Sequence, residues 1–334
     1  MNIRIKRLLT GVVGALTLLG VGIAEARDLK LAMQTNPGTA QYDGVEKFAA
    51  LVKDKSGGKL NVKIFGGGAL GGDLQTVSSL QGGIIDMSVM NASLLNGISK
   101  EFSFLDFPFL FNSNAEAYAI VDGPIGKRLM DKLPAKNLVG LAYPELGFRH
   151  ISNGKRPINK LEDLQGLKIR VIQTPVYVEM MNALGANATP LPFPEVYGAL
   201  ETRAVDGATN PLVTLQVQKF YEVQKYLTLT RHQYNPQIMI VSKKTWDSLP
   251  PADQKILQDA AIEARDFERK VSREKEAQAL EYLKQHLQVN ELPASEVARA
   301  RERLKPVIDK YTKEVGEDLM NEVNAELARM RSGK

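Results

Sequence analysis

The chain contains no cysteine and only three histidines. Without thiols there is no thiolate nucleophile, no disulfide framework and no cysteine-based zinc site. His150, His232 and His286 are far apart and form no H-x-x-x-H pair, so no metal and no cofactor is expected. No stretch is low in complexity, and no segment repeats. After the first 26 residues no apolar run is long enough to span a bilayer. There is no G-x-x-x-x-G-K-[ST] loop, no dinucleotide fingerprint in register with a helix, no G-x-S-x-G elbow and no H-E-x-x-H pair. A formal charge of +5 leans basic, but both signs are interspersed along the chain. That pattern suits a solvated mixed surface and does not call for nucleic acid.

What is present begins with an export signal. Arg4, Lys6 and Arg7 precede an apolar run from Leu8 to Ile23, and Ala24-Glu25-Ala26 follows. A basic start, a short apolar stretch and small residues at −3 and −1 predict a signal peptide over 1–26, cleaved after Ala26. The mature protein is therefore expected outside the cytoplasm, in the periplasm. At 334 residues the chain exceeds the usual size of one core, so two lobes are expected. A chain of this size can also build its core without disulfides.

Strand and helix periods alternate through the mature chain. Leu29, Leu31 and Met33 alternate as a strand. Val45, Phe48, Ala49 and Val52 trace one helix face. Leu60, Val62 and Ile64 alternate again, and the glycine-rich run 66–72 turns the chain. Asp73 is placed to cap a helix bearing Leu74, Val77 and Leu80. Strands are expected over 84–90, 138–143, 167–172, 205–209, 226–231 and 237–241. This order implies right-handed βαβ units and mainly parallel sheets. From Ala252 to about Leu287 the chain has no glycine or proline, and an unbroken helix there would reach ~50 Å, long enough to brace both lobes. A last amphipathic helix is expected over 295–329. It could pack on its own lobe or exchange with a second copy. The fold class is α/β, a two-lobed clamshell, with the ligand beyond the carboxyl ends of the strands.

Candidate binding residues lie at those ends. Arg170 closes the strand Leu167–Ile172 on the face opposite Leu167, Ile169 and Val171. A guanidinium there suits a carboxylate, because its planar fork donates two parallel hydrogen bonds. A surface arginine or a structural ion pair is the alternative. Phe193 stands between two prolines, either as a ring facing a ligand or as core. Asn210, before Pro211, is either a ligand contact or a turn residue. Gln34, Asn36, Asp73, Asn91, Gln173, Tyr234, Asn235 and Gln237 lie at strand ends or loops and are further polar candidates. Nothing marks a catalytic base with an oriented partner, so no enzyme is expected.

The run GLKIRVIQTPVYVEMMNALGANATPLPFPEVYGALETRAVDGATNP, Gly166 to Pro211, closely resembles the solute-binding subunits of tripartite ATP-independent periplasmic (TRAP) transporters. The ordered elements are G-L-K-I-R, A-L-G-A, P-F-x-E-V-Y-x-A-L and V-D-G-x-x-N-P. Gly147-Phe148-Arg149 with Asn153, Gly68 to Gly71, and the helix after Leu249-Pro250 extend the likeness over the whole mature chain. The resemblance implies that Arg170 binds the ligand carboxylate, that Asn210 and Phe193 line the site and that Arg149 assists. It implies a periplasmic-binding-protein clamshell with 27–147 and 236–270 in one lobe and 148–235 and 271–334 in the other. It also implies a small organic acid as ligand, a sugar acid or a C4-type dicarboxylate, and delivery to a small and a large membrane subunit. A monomer is expected, with a dimer as the alternative. An exported enzyme acting on an organic acid, or a receptor for a sensor or an ATP-driven importer, are the rival readings. Two departures from the family pattern stand out. Thr209 occupies a position where many members carry Glu, and Asn91 one where some carry an acidic residue.

Overall fold

The structure is a computed structural model that describes residues 26–333, so the expected signal peptide lies almost wholly outside the described residues. The chain opens with β1 (Arg27–Met33), α1 (Ala40–Lys55), β2 (Leu60–Phe65), α2 (Asp73–Gln81) and β3 (Met87–Asn91). Two 3₁₀ segments, Ala92–Gly97 and Lys100–Asp106, lead to α3 (Asn114–Asp122), α4 (Pro124–Asp131), β4 (Leu138–Ala142) and β5 (Glu145–Asn153). Next come β6 (Lys168–Val171), α5 (Pro175–Ala183), β7 (Asn187–Pro190), α6 (Val196–Glu201), β8 (Gly207–Asn210) and α7 (Leu212–Val217). The chain ends with β9 (Tyr226–Ser242), α8 (Lys243–Asp247), α9 (Pro251–Lys284), β10 (Gln288–Glu291), α10 (Ala294–Val315) and α11 (Glu317–Arg331).

Local chemistry explains the first unit. The Thr39 side chain accepts from the Tyr42 N–H and caps α1, whose Val45, Phe48 and Val52 are buried. They pack with Leu29, Leu31 and Leu60 on one side and with Leu257, Ala260 and Ala264 of α9 on the other. The approach of α1 to α9 requires Gly44, where an added Cβ would lie 2.7 Å from the Glu268 Cβ. The strand expected from Ile84 starts only at Met87. Gly83 turns there with φ +70°, which leaves Ile84 exposed.

Two sheets share one strand. In the first lobe β1 pairs in parallel with β2 and β3, and β3 and β4 pair antiparallel with residues 237–242 of β9. In the second, β6 pairs in parallel with β7 and β8, and β10 in parallel with the start of β9. β5 pairs antiparallel with β8 and with residues 226–236 of β9. The outer strands thus follow the parallel βαβ order, and the antiparallel pairs come from the two crossing strands, β5 and β9.

Two expectations are corrected here. The strands expected over 226–231 and 237–241 are one strand of 17 residues. The sheet changes at Pro236, which has no N–H to donate, and the Gln237 N–H turns to the Pro144 carbonyl at 2.8 Å. The last helix is two helices, broken at Gly316 with φ 104°. Tyr311, Val315, Met320, Val323 and Leu327 then pack with Phe102, Ile120, Ile125 and Leu129 beside α3 and α4. Arg128 pairs with Glu322, and Arg331 with Glu116. The C-terminal segment therefore packs on the first lobe, although the expected boundary assigned 271–334 to the second.

The long helix does brace both lobes. Leu257, Ala260, Ala261 and Ala264 of α9 belong to the first lobe's core, and Ala279 and Leu283 to the second's. The helix has 34 residues, about 50 Å at 1.5 Å per residue. It ends at Lys284, and Pro293 stands at the N-cap of α10.

Candidate functional site

β8 lies between β5 and β6, and that order brings the second lobe's polar groups together. His150 stands opposite Asn210, and Arg170 opposite Ala208, so Arg149, Asn210 and Arg170 come from three adjacent strands. Arg149 is 1% exposed. Its Nε donates to Thr209 Oγ1 at 3.1 Å and its Nη1 to Asn235 Oδ1 at 2.9 Å. Its Nη2 donates to the Thr209 carbonyl and to Asn210 Oδ1, the latter at 3.4 Å. Thr209 thus anchors this arginine through neutral oxygens.

Arg170 is bound differently. Its Nε and Nη2 both donate to the Leu191 carbonyl, at 3.0 and 2.6 Å, which leaves Nη1 uncommitted. The Phe193 ring lies 5.8 Å from its guanidinium carbon and itself packs on Phe220. Burial works against the charge on Arg170, and nearby Arg149 adds to that, while Asp73 opposes both. An arginine does not give up its proton in a protein. The site therefore favours an arriving anion.

The first lobe faces these groups with neutral polar side chains. Asn91 ends β3 and stands opposite Gln237 on β9. Gln34 follows β1, and its Nε2 donates to the Gly71 carbonyl at 3.0 Å, which fixes its Oε1 as a free acceptor. Gln34 Oε1, Thr35 Oγ1, both polar atoms of the Asn91 amide, Asn210 Nδ2 and Gln237 Oε1 are all buried without a protein partner. Leaving such groups unpaired is costly, so a polar ligand at this place would satisfy them. Together they line a narrow cavity of about 40 Å³ between the lobes, with Asp73, Arg149, Arg170, Ile172, Phe193 and Thr214.

Asp73 does not cap α2. Gly72 holds the cap position, and Asp73 is the first helical residue, with its carboxyl among the cavity's walls. Burial pushes that carboxyl up to about 7, against the pull of Arg170 and a hydrogen bond from Gln34. Asp106 lies behind the wall and is likewise pushed up to about 7 by burial, against the pull of Ser93, Thr174, Arg149 and Asn91.

Eight expected residues thus line one cavity: Gln34, Asp73, Asn91, Arg149, Arg170, Phe193, Asn210 and Gln237. Four others stand elsewhere. Asn235 lies behind the wall, where its Oδ1 accepts from Arg149 and from the Tyr177 hydroxyl at 2.8 Å. Tyr234 points the other way along β9, and its hydroxyl donates to Glu145 at 2.7 Å. Gln173 follows β6 but is not on the cavity wall. Asn36 joins the lobes, its Nδ2 donating to Gln218 Oε1 at 3.1 Å. Sequence reasoning missed Thr35, Ile172 and Thr214. Ile172 lies two residues beyond Arg170, on the same face of the strand, and that period was the signal available.

The lobes also touch at the rim. An added Cβ on Gly68 would lie 2.5 Å from Pro194 Cγ, and one on Gly72 would lie 3.4 Å from Pro192 Cβ.

Comparison with known proteins gives the family. Residues 31–314 match the family model for bacterial extracellular solute-binding proteins, family 7. This chain belongs to that family. Its members are the solute-binding subunits of TRAP transporters, transport proteins of the periplasm. A TRAP solute-binding protein of Ochrobactrum anthropi, solved with a C-terminus bound in its ligand pocket, is 53% identical. It aligns over 92% of this chain and 97% of its own, with a TM-score of 0.82. The sugar acid binding protein of Advenella mimigardefordensis, in complex with galactonate, is 39% identical over 91% and 98%, with a TM-score of 0.89. The C4-dicarboxylate-binding periplasmic protein of Rhodobacter capsulatus is 32% identical over 97% and 99%. The fold of these solute-binding relatives is the two-lobed clamshell described above.

Proposed function

We propose that this TRAP solute-binding protein captures a small organic acid between its lobes and delivers it to a small and a large membrane subunit. The observation that carries the reading is Arg170. It is a buried guanidinium with one uncommitted edge, facing a wall of unpaired amides. A carboxylate completes its hydrogen bonding, with Arg149 behind it as a fixed positive charge. The first lobe, residues 27–147 with 236–270, closes on the second by bending at β9 and at the link into β5. Export and cleavage after Ala26 release the mature protein into the periplasm.

Two arginines do not suffice. A charge-assisted hydrogen bond contributes ~1.5–3 kcal/mol, whereas a micromolar ligand requires ~8 kcal/mol. The remainder comes from Gln34, Asn91, Asn210 and Gln237 and from the Phe193 face. A thermal-shift screen of organic acids finds the ligand, and calorimetry with Arg170→Ala tests the clamp. Affinity should fall tenfold or more with the fold intact. Unchanged affinity would falsify the carboxylate clamp.

A further inference from the structure

A second cleft, of about 710 Å³, shares no lining residue with the inter-lobe cavity. It lies on the other face of the sheet. Along β5, Arg149 lines the inter-lobe cavity, whereas its neighbours Phe148 and His150 line the cleft. Residues of β9, α9, β10 and the first turn of α10 complete the wall. A cleft of this size with an apolar wall and a few polar groups is suited to a small ligand.

The backbone of β9 is irregular where it meets the cleft. Arg149 stands opposite Gln233 and Ile151 opposite Thr228, so residues 229–232 bulge out against His150. Arg231 in that bulge has φ +43°, a left-handed conformation that arginine seldom takes. Its guanidinium carbon lies 3.9 Å from the centre of the Phe148 ring. The guanidinium has no hydrogen bond or ion pair to another described residue, and the side chain reaches solvent. Strained backbone of this kind gathers at ligand sites.

His150 supplies a second donor. It is 3% exposed, and burial with Arg231 and Arg149 nearby keeps its ring neutral. Its Nδ1 accepts the Arg231 N–H at 3.4 Å, so Nε2 carries the ring's hydrogen and has no partner among the described residues. The charges on the wall do not cancel. Arg273 is paired with Glu145 and Glu276. Arg301 has no acidic partner: its Nη1 donates to the Phe109 carbonyl at 3.0 Å, and its guanidinium carbon lies 5.0 Å from the Phe109 ring centre. Glu291, at the exposed end of β10, is the one carboxylate on the wall without a partner. Two unpaired arginines therefore face one unpaired carboxylate.

We infer that this cleft is a second binding site, for an apolar or aromatic monocarboxylate, with Arg231 and the His150 Nε2–H holding the carboxylate. The body of the ligand lies on Phe109, Phe111, Phe148, Leu229, Leu280 and Leu292. These side chains offer nothing to a row of hydroxyls, so a hydroxylated acid would bury them unpaired. A guanidinium fixed flat on a ring loses little freedom when it takes up a carboxylate, and its planar fork matches the two oxygens.

The test is calorimetry of the mature protein with 2-naphthoate and octanoate, and with 2-naphthalenemethanol as the uncharged control. The wild type should bind at least one of the acids, and the naphthoate tenfold or more tighter than the alcohol. Arg231→Asn removes the charge with a side chain that tolerates the left-handed backbone, and should bring the acid down to the level of the alcohol. Ala277→Trp fills the cleft from an exposed position of α9 and should weaken the acid tenfold or more. Circular dichroism reports whether each variant is folded. Failure of both acids to bind, an alcohol that binds as tightly as the naphthoate, or acid binding unmoved in the folded variants overturns the site. Unmoved binding would place the acid elsewhere, the inter-lobe cavity included. If Arg231→Asn fails to fold, the comparison of acid with alcohol and the Ala277→Trp variant decide.

Discussion

Arg149 and Arg170 carry the same charge in different settings. Arg149 is held by Thr209, Asn210 and Asn235, so it is a fixed part of the wall. Arg170 leans on one carbonyl and keeps an edge for the ligand. Arg170 was legible from its place near a strand's end, with a structural arginine as the alternative, and Arg149 only through the family resemblance. The contrast between them was not, since it depends on partners from β8 and β9. Glu268 was not legible at all. It sits on the charged helix α9 yet is 1% exposed. Its Oε2 accepts the Glu145 N–H at 3.0 Å. Burial first, and then the neighbouring Glu145, hold its carboxyl well above the usual carboxylate range. The folded state therefore binds a proton that the unfolded state releases, and this contribution to stability is lost as pH rises above the unfolded value near ~4.3. Glu268→Gln keeps the shape without the charge. In urea unfolding the variant should match wild type at pH 4.5 and exceed it at pH 8. A wild type that gains stability over the same range, relative to the variant, would contradict the assignment.

The glycine-rich run between β2 and α2 shows what an element can hide. Its composition allowed either a flexible or a close-packed turn. Packing decided for the second, because Gly68 has φ +73° and faces Pro194 across the rim. An alanine there meets two penalties: a left-handed backbone and a Cβ 2.5 Å from Pro194. The first costs about 1 kcal/mol of stability. The second acts only when the lobes meet. Gly68→Ala should therefore weaken ligand binding tenfold or more in calorimetry, beyond what its small loss of melting temperature implies. Equal binding would show that the rim contact plays no part in closure. The 17-residue strand β9 is the opposite case. Its pattern reads as two strands, 226–231 and 237–241, with Pro236 in the gap between them. A proline is tolerated there because the strand changes partners at that point, and its missing N–H falls in the gap between two ladders.

At the scale of the whole molecule, capture of an anion should be coupled to protons. Asp73 and Asp106 are both pushed up to about 7 by burial. Asp73 faces Arg170 and Gln34, and Asp106 faces Arg149, Thr174, Ser93 and Asn91. His150 and His232 lie in the same interior but are held low by burial and by arginines, His150 at about 3, so they stay neutral. An anion entering the cavity raises both aspartates further, so binding takes up protons. Affinity for an organic acid should therefore be flat below about pH 6 and fall as pH rises through 7. Calorimetry from pH 5.5 to 8.5, in buffers of differing ionisation enthalpy, reads both the affinity and the proton uptake. Affinity that rises with pH would contradict the coupling.

The amino-acid sequence by itself determined the alternation of strand and helix, the bracing helix, the export signal as an expectation, and the arginines and amides at strand ends. Those follow from periodicity, from breakers and from what each side chain can donate or accept, all of which are local. Only the tertiary structure decided which strand ends share a wall, because β8 inserts between β5 and β6 out of chain order. It placed Asn235 and Tyr234 away from the cavity and Thr214 in it. It turned Asn36 into a contact between lobes, and it packed α11 on the first lobe. Each of these depends on residues far apart along the chain, where sequence spacing has no say and packing chooses the neighbour.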